Sequence, residues 1–176
     1  AGLAGLIETI HAYGKKLKLQ GFHTPFEKIK QAYQYSSVEE AKMHFKSLAN
    51  DLQKNGIPKN LGPVVFGFAG YGNVSCGAQE LFDLLPHKDF SPTELAENFS
   101  SLTSWDGTLF KFVFKEEHMV IPKNGKFDLR DYYDNPGNYT GNFSSWLPYI
   151  NVLVNCIYWT EKYPRLVTKD YLNQHP

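Results

Sequence analysis

Cysteine is nearly missing from this chain: Cys76 and Cys156 are the only two in 176 residues. That is too few for a disulfide scaffold, and with no Cys-x-x-Cys pair or Cys/His cluster no metal site is expected. Neither sign of charge is in excess, since 18 basic residues balance 18 acidic ones. A neutral chain has no global field to draw it onto nucleic acid or an anionic membrane, and neither partner is expected. No apolar run is long enough to span a bilayer, and no charged-then-apolar secretion signal is read. Four Asn-x-Ser/Thr triplets, at Asn73, Asn98, Asn138 and Asn142, are therefore read as chance occurrences rather than glycosylation sites. Aromatic residues, by contrast, make up 15% of the chain, which argues for a packed core and against disorder.

The most informative stretch runs from Val64 to Ala78. An apolar strand, Val64 to Ala69, leads into Gly70-Tyr71-Gly72 and then into a helix expected from about Val74 to Leu85. A phosphate can approach a backbone closely only where side chains are absent, and the free N–H groups and positive end of a helix favour an anion. The spacing departs from G-x-G-x-x-G: position 75, where the third glycine would fall, is Ser75, and the next glycine is Gly77.

The first sixty residues read as helical. Leu3, Leu6, Ile7, Ile10, Tyr13 and Leu17 follow helical spacing from the start. With no initiator methionine and no capping residue, this helix reads as cut from a longer protein. Thr24 and Pro25 open a second helix expected to end near Tyr35, and Ser36 and Ser37 with Glu39 and Glu40 offer two capping registers for a third. That helix carries Val38, Ala41, Phe45, Leu48 and Leu52 on one face and stops at Asn55-Gly56.

Beyond residue 62 strands alternate with helices. A strand is expected at His87 to Phe90, a short helix from Ser91 to about Phe99 and a strand at Leu109 to Phe114. A hairpin or loop follows through Met119 to Phe127, then a helical segment from Leu129 to Tyr133 and a buried strand from Ile150 to Ile157. The pattern predicts an α/β, Rossmann-like, doubly wound and mostly parallel sheet preceded by an N-terminal helical segment. Residues 1–60 are read as a helical connecting segment and 61–176 as the Rossmann-like domain. In such sheets ligands bind at the carboxyl ends of strands where the strand order reverses. The glycine turn and Asn155-Cys156-Ile157 would meet at one such crevice.

The segments Gly67 to Glu80, Asp131 to Pro136, Asn155 to Trp159 and Pro164 to Thr168 resemble the lysine-ketoglutarate reductase part of the bifunctional aminoadipic semialdehyde synthases. Ala1 to Gly5 and His23 to Phe26 look like that family too, so the similarity covers essentially the whole chain. The form Gly-x-Gly-Asn-Val-Ser-x-Gly-Ala is specific to it and accounts for Ser75. The wider group includes fungal saccharopine dehydrogenases and alanine dehydrogenase, whose members have two Rossmann-like lobes. The resemblance implies reductive condensation of lysine with 2-oxoglutarate to saccharopine, or its reverse, with an NAD(P) cofactor carrying the hydride. It implies an intracellular protein, cytoplasmic or mitochondrial. The family's Lys and His acid/base residues belong to the lobe preceding Ala1, so no catalytic residue is assigned here, and lysine, 2-oxoglutarate or saccharopine would bind only with that lobe.

On this reading Gly70, Tyr71, Gly72, Asn73 and Val74 line the pyrophosphate, while Ser75 either caps the helix or touches a phosphate. Asn155, Cys156 and Ile157 lie beside the nicotinamide-ribose end, Cys156 being equally readable as a small buried residue. Discrimination at the ribose 2′ position depends on the end of the second strand. There Asp89 would favour NAD, whereas Ser91 with Lys88 would admit NADP; the resemblance leans to NADP. His118 and Arg165 match the family pattern and have either a cleft-facing or a purely structural role. A glycine turn on such a sheet also fits a non-catalytic nucleotide-binding or structural module.

Overall fold

The computed structural model describes residues 1–175; Pro176, the last residue of the expected 61–176 domain, lies outside the described residues. The helices and strands are, in chain order, α1 (Gly2–Leu19), α2 (Val38–Asn55), β1 (Val65–Ala69), α3 (Asn73–Phe82), β2 (His87–Asp89), α4 (Pro92–Asn98), β3 (Leu109–Phe114), α5 (Glu116–Met119), β4 (Val120–Pro122), α6 (Leu129–Asp134), β5 (Tyr139–Gly141), β6 (Val152–Asn155) and α7 (Lys169–Gln174). Four strands form a parallel sheet in the order β2-β3-β1-β6, and β4 pairs with β5 in a separate antiparallel ribbon. This is an α/β protein with a Rossmann-like sheet and an N-terminal helical segment.

Alternation along β1 divides the core into two layers. Val64, Phe66 and Phe68, with Val152 and Val154 of β6, pack against Leu6 and Ile10 of α1, Phe45 and Leu48 of α2 and Leu81 of α3. Val65 and Ala69, with Phe110, Phe112 and Phe114 of β3, face Leu95 of α4, Met119, Tyr132, Tyr139 and Phe143. Helices α3 and α4 thus cover opposite faces, as a doubly wound sheet requires. The first sixty residues form the outer layer of one face and share its core.

The helices follow their sequence signals closely. In α2 the Ser37 Oγ accepts the Glu40 N–H at 3.1 Å, while the Glu40 carboxylate reaches back to the Ser36 N–H and hydroxyl at 2.7 Å each. Ala41, Phe45, Leu48 and Leu52 form its buried face, whereas Val38 is exposed. The helix expected from Pro25 to Tyr35 is instead two 3-10 turns, Pro25–Lys28 and Ala32–Gln34. The reason lies in α1. His11 Nδ1 sits 2.6 Å from the Ile29 carbonyl, and the Glu8 carboxylate accepts the Ala32 N–H at 2.7 Å, so α1 side chains satisfy the backbone groups a continuous helix would pair internally.

Three other boundaries shift. Helix α3 ends at Phe82, and the chain tightens through Leu84 and Leu85 with bonds to Leu81 and Phe82. The strand expected over Ile150 to Ile157 narrows to Val152–Asn155, because β1, its one neighbour among the described residues, is five residues long. The hairpin or loop expected at Met119 to Phe127 contains β4, whose partner β5 and the terminal α7 carried no strong local signal.

Helices α1 and α3 meet at a seam of small residues. A Cβ added at Gly2 would lie 2.0 Å from the Val74 carbonyl oxygen and 2.8 Å from the Ala78 nitrogen, both backbone atoms that cannot swing away. Gly2→Ala is expected to cost about 1–3 kcal/mol through overpacking. Thermal unfolding would register this as a fall of roughly 2–4 °C per kcal/mol; an unchanged midpoint would show that α1 can lift from α3 without loss.

Candidate functional site

The site is built at the carboxyl ends of β1 and β6. Ala69 ends β1 level with Asn155 on one side and with Phe114 on the other, and the Gly70 N–H continues the β3 ladder to the Phe114 carbonyl at 2.8 Å. Gly70 has φ +96, a region that side chains rarely adopt, and a Cβ there would come 3.0 Å from Ile157 Cγ2. Glycine at this position therefore lets the turn bend away from the sheet while lying directly against the loop after β6. The Cys156 N–H donates to the Ala69 carbonyl at 3.0 Å and ties the two loops together.

Gly72 is the residue before α3, and among the described residues no side chain caps that helix end. The first intrahelical bond runs from the Cys76 N–H back to the Gly72 carbonyl at 2.9 Å, so the N–H groups of Asn73, Val74 and Ser75 have no helical acceptor. Space beside Gly72 is open: a Cβ would meet nothing within 4 Å. Unpaired donors, a helix N-terminus and a bare backbone fit an anionic group, and the sequence of this turn holds no acidic residue to repel one.

A pocket of about 600 Å³ opens here, within the size range of small-molecule sites. Gly70, Tyr71, Gly72, Asn73 and Val74 line it from one side and Asn155, Cys156 and Ile157 from another. Eight of the nine residues singled out from the sequence are thus brought together. Ser75 is the exception. It is fully buried as the third residue of α3, where its Oγ accepts from Gln79 Nε2 at 2.9 Å, and it neither caps the helix nor lines the pocket. Burial pushes the Cys156 thiol up, with the Ser75 hydroxyl working against that shift, so Cys156 is held as a neutral thiol rather than a nucleophile.

The third wall comes from the segment that crosses the other face of the sheet. Glu116, Met119, Val120, Tyr132 and Tyr133 line it, with Tyr158, Tyr163, Pro164 and Leu166 from the chain after β6. The Tyr133 hydroxyl donates to Glu116 Oε1 at 2.6 Å. Burial pushes the Tyr132 phenol up to about 12, and burial with the Glu116 contact raises that of Tyr133. Tyr71 is raised chiefly by the charge of Glu116. All three phenols keep their protons near neutrality, and that of Tyr133 is spent on Glu116.

The second-strand candidates lie elsewhere. The expectation places them at the end of the second strand in sequence, but the strand beside β1 is β3, which puts Lys88 and Asp89 on the edge strand. Asp89 there pairs with Lys111 Nζ at 3.0 Å and does not line the pocket. His118 Nδ1 accepts the Lys115 N–H at 3.0 Å, and the Arg165 guanidinium stacks 4.3 Å over the Trp159 ring; neither lines the pocket. Among the described residues no group of three or more His, Cys, Asp or Glu side chains is placed to hold a metal ion, and no helix is long and apolar enough to cross a membrane.

A parallel sheet with helices on both faces, and a glycine turn and a second loop meeting at the carboxyl ends of the adjacent strands β1 and β6, define a Rossmann-like α/β protein with a switch-point cleft. No protein-family model matches the chain. It is, however, 38% identical over 184 residues to the alpha-aminoadipic semialdehyde synthase of Arabidopsis thaliana, covering 98% of this chain and 17% of that protein. The mitochondrial alpha-aminoadipic semialdehyde synthases of Mus musculus and Bos taurus are each 36% identical, over 97% of this chain and 18% of their own length. Over nearly all its length, then, the chain corresponds to one segment of the alpha-aminoadipic semialdehyde synthases, and it spans under a fifth of the curated relatives it matches.

Proposed function

We propose that this chain is the dinucleotide-binding part of an oxidoreductase of the saccharopine-forming, lysine-ketoglutarate reductase type, acting in lysine metabolism with NAD(P)H. The observation that carries the proposal is the convergence of Gly70–Val74 and Asn155–Ile157 on one pocket at the carboxyl ends of β1 and β6. The likeness to alpha-aminoadipic semialdehyde synthases supports the choice of chemistry.

A dinucleotide held there would supply the hydride for reduction of an imine. The residues of this chain would bind and orient it. The N–H groups at the start of α3 would take the pyrophosphate, Gly72 would leave room for it, and Asn155, Cys156 and Ile157 would flank the nicotinamide-ribose end. Groups that move protons would lie outside these 176 residues, as would the determinants for lysine, 2-oxoglutarate or saccharopine.

Calorimetric titration of the chain with NADH and with NADPH tests the proposal. Saturable binding of at least one is expected below millimolar concentration, and no heat from either at that concentration would overturn the reading in favour of a structural module. Lysine-dependent oxidation of either nucleotide by this chain alone is not expected. Turnover would overturn the assignment of proton transfer to residues beyond it.

A further inference from the structure

The tripeptide Lys-Asn-Gly occurs twice in the chain, as Lys54-Asn55-Gly56 and as Lys123-Asn124-Gly125. An asparagine followed by glycine carries a built-in reaction: glycine has no side chain to shield its backbone nitrogen, and that nitrogen can reach the amide carbon of the asparagine before it. Identical tripeptides give the two sites the same intrinsic chemistry, so a difference between them in the folded protein comes from how the fold holds each one. At the first site it holds firmly. Asn55 is the last residue of α2, the Gly56 N–H donates to the Leu52 carbonyl at 2.8 Å, and a Cβ at Gly56 would lie 2.0 Å from the Trp105 carbonyl oxygen. The one Asp-Gly pair, Asp106-Gly107, is tied in the same way, with the Gly107 N–H donating to the Ser104 carbonyl at 2.8 Å.

The second site is free. Asn124 and Gly125 are exposed in the bend between β4 and α6, nothing lies within 4 Å of where a Gly125 Cβ would be, and among the described residues the Gly125 N–H has no hydrogen-bond partner. We propose that Asn124 is a site of spontaneous deamidation in the native protein, while Asn55 is protected by its helix end. The Gly125 nitrogen attacks Asn124 Cγ; a new N–Cγ bond closes a cyclic imide, and the side-chain nitrogen leaves as ammonia with the proton that Gly125 gives up. Water then opens the imide at either carbonyl, leaving aspartate or its isomer with the backbone routed through Cγ. Neither step needs a cofactor or changes an oxidation state. The product puts a carboxylate in a small pocket of about 190 Å³ that Asn124 shares with Asp131, whose own carboxyl is held below its ordinary value by the Asn135 amide and the Tyr139 hydroxyl. The altered bend also joins Val120 of β4 to Tyr132 and Tyr133 of α6, all three of them in the wall of the larger pocket.

The test is peptide mapping by mass spectrometry after the whole chain has been incubated at mildly alkaline pH, well below its melting midpoint. The mass gain of an amide-to-acid exchange is expected at residue 124, at a rate at least about tenfold above that at residue 55. In denaturant, where α2 is gone, the two rates are expected to come within about threefold of each other. Gly125→Ala, which shields the attacking nitrogen, is expected to slow the reaction at residue 124 by about tenfold or more. A native ratio below about tenfold, or no product at residue 124, would overturn the proposal. A ratio that persists in denaturant would overturn the protection by the fold, and an unchanged rate in Gly125→Ala would overturn the role of the Gly125 nitrogen.

Discussion

Gly72→Val is expected to weaken dinucleotide binding by about 100-fold or more while leaving the fold standing. The two effects separate because of the local geometry. Gly72 has φ −77 and ψ −174, an extended conformation that valine adopts freely, and no atom lies within 4 Å of where its Cβ would be. The new side chain therefore meets no protein atom at Cβ and fills only the space through which a phosphate would reach the unpaired N–H groups of Asn73 and Val74. A loss of about 2.7 kcal/mol corresponds to the 100-fold change. Titration with the better-binding nucleotide measures it, and thermal unfolding serves as the control. Binding within about threefold of the original would mean that the phosphate does not approach over Gly72.

Phe66→Ala carries the largest expected effect on stability, about 3–5 kcal/mol. Phe66, the second residue of β1, is fully buried, with its ring 4.9 Å from that of Phe82, 6.0 Å from Tyr13 and 6.5 Å from Phe26. Those three partners come from α3, from α1 and from the 3-10 turn after it, so one truncation loosens every layer on that face of the sheet. A cavity there cannot collapse easily, since sheet and helices approach it from fixed directions. At roughly 2–4 °C per kcal/mol the melting midpoint should fall by about 6–20 °C. A fall under about 3 °C would contradict the packing described for this face.

How much of this was legible beforehand depends on the range of the interaction involved. The β1–turn–α3 unit is written in adjacent residues: an unbroken apolar run, two glycines, then helical spacing. The convergence of Asn155–Ile157 on that turn follows from a general rule about parallel sheets, and it needs only that Val152–Asn155 be a buried strand. The identity of the strand between β1 and the edge is a different matter. His87–Asp89 and Leu109–Phe114 both read as strands, and nothing local says which one lies inside; Phe110, Phe112 and Phe114 alternating beneath the second crossover decide it only once the whole face is assembled. Glu116 was missed for that reason. Ser75, read as a helix cap or a phosphate contact, is instead fully buried, with its hydroxyl accepting from Gln79 one turn further along α3. The break at Ile29–Gln31 depends on Glu8 and His11, more than fifteen residues away.

The seam between Gly2 and Val74 bears on the entropy of recognition. Because backbone meets backbone there, with no side chain as a cushion, the first turn of α3 rests against a rigid neighbour from behind while its open N–H groups face outward. A loop that must be ordered when a ligand arrives loses affinity to that ordering. Here the brace from α1 fixes the donors beforehand, so the turn behaves as a preset mould, and the amino-terminal helix contributes to ligand affinity from the far side of the element that makes the contact.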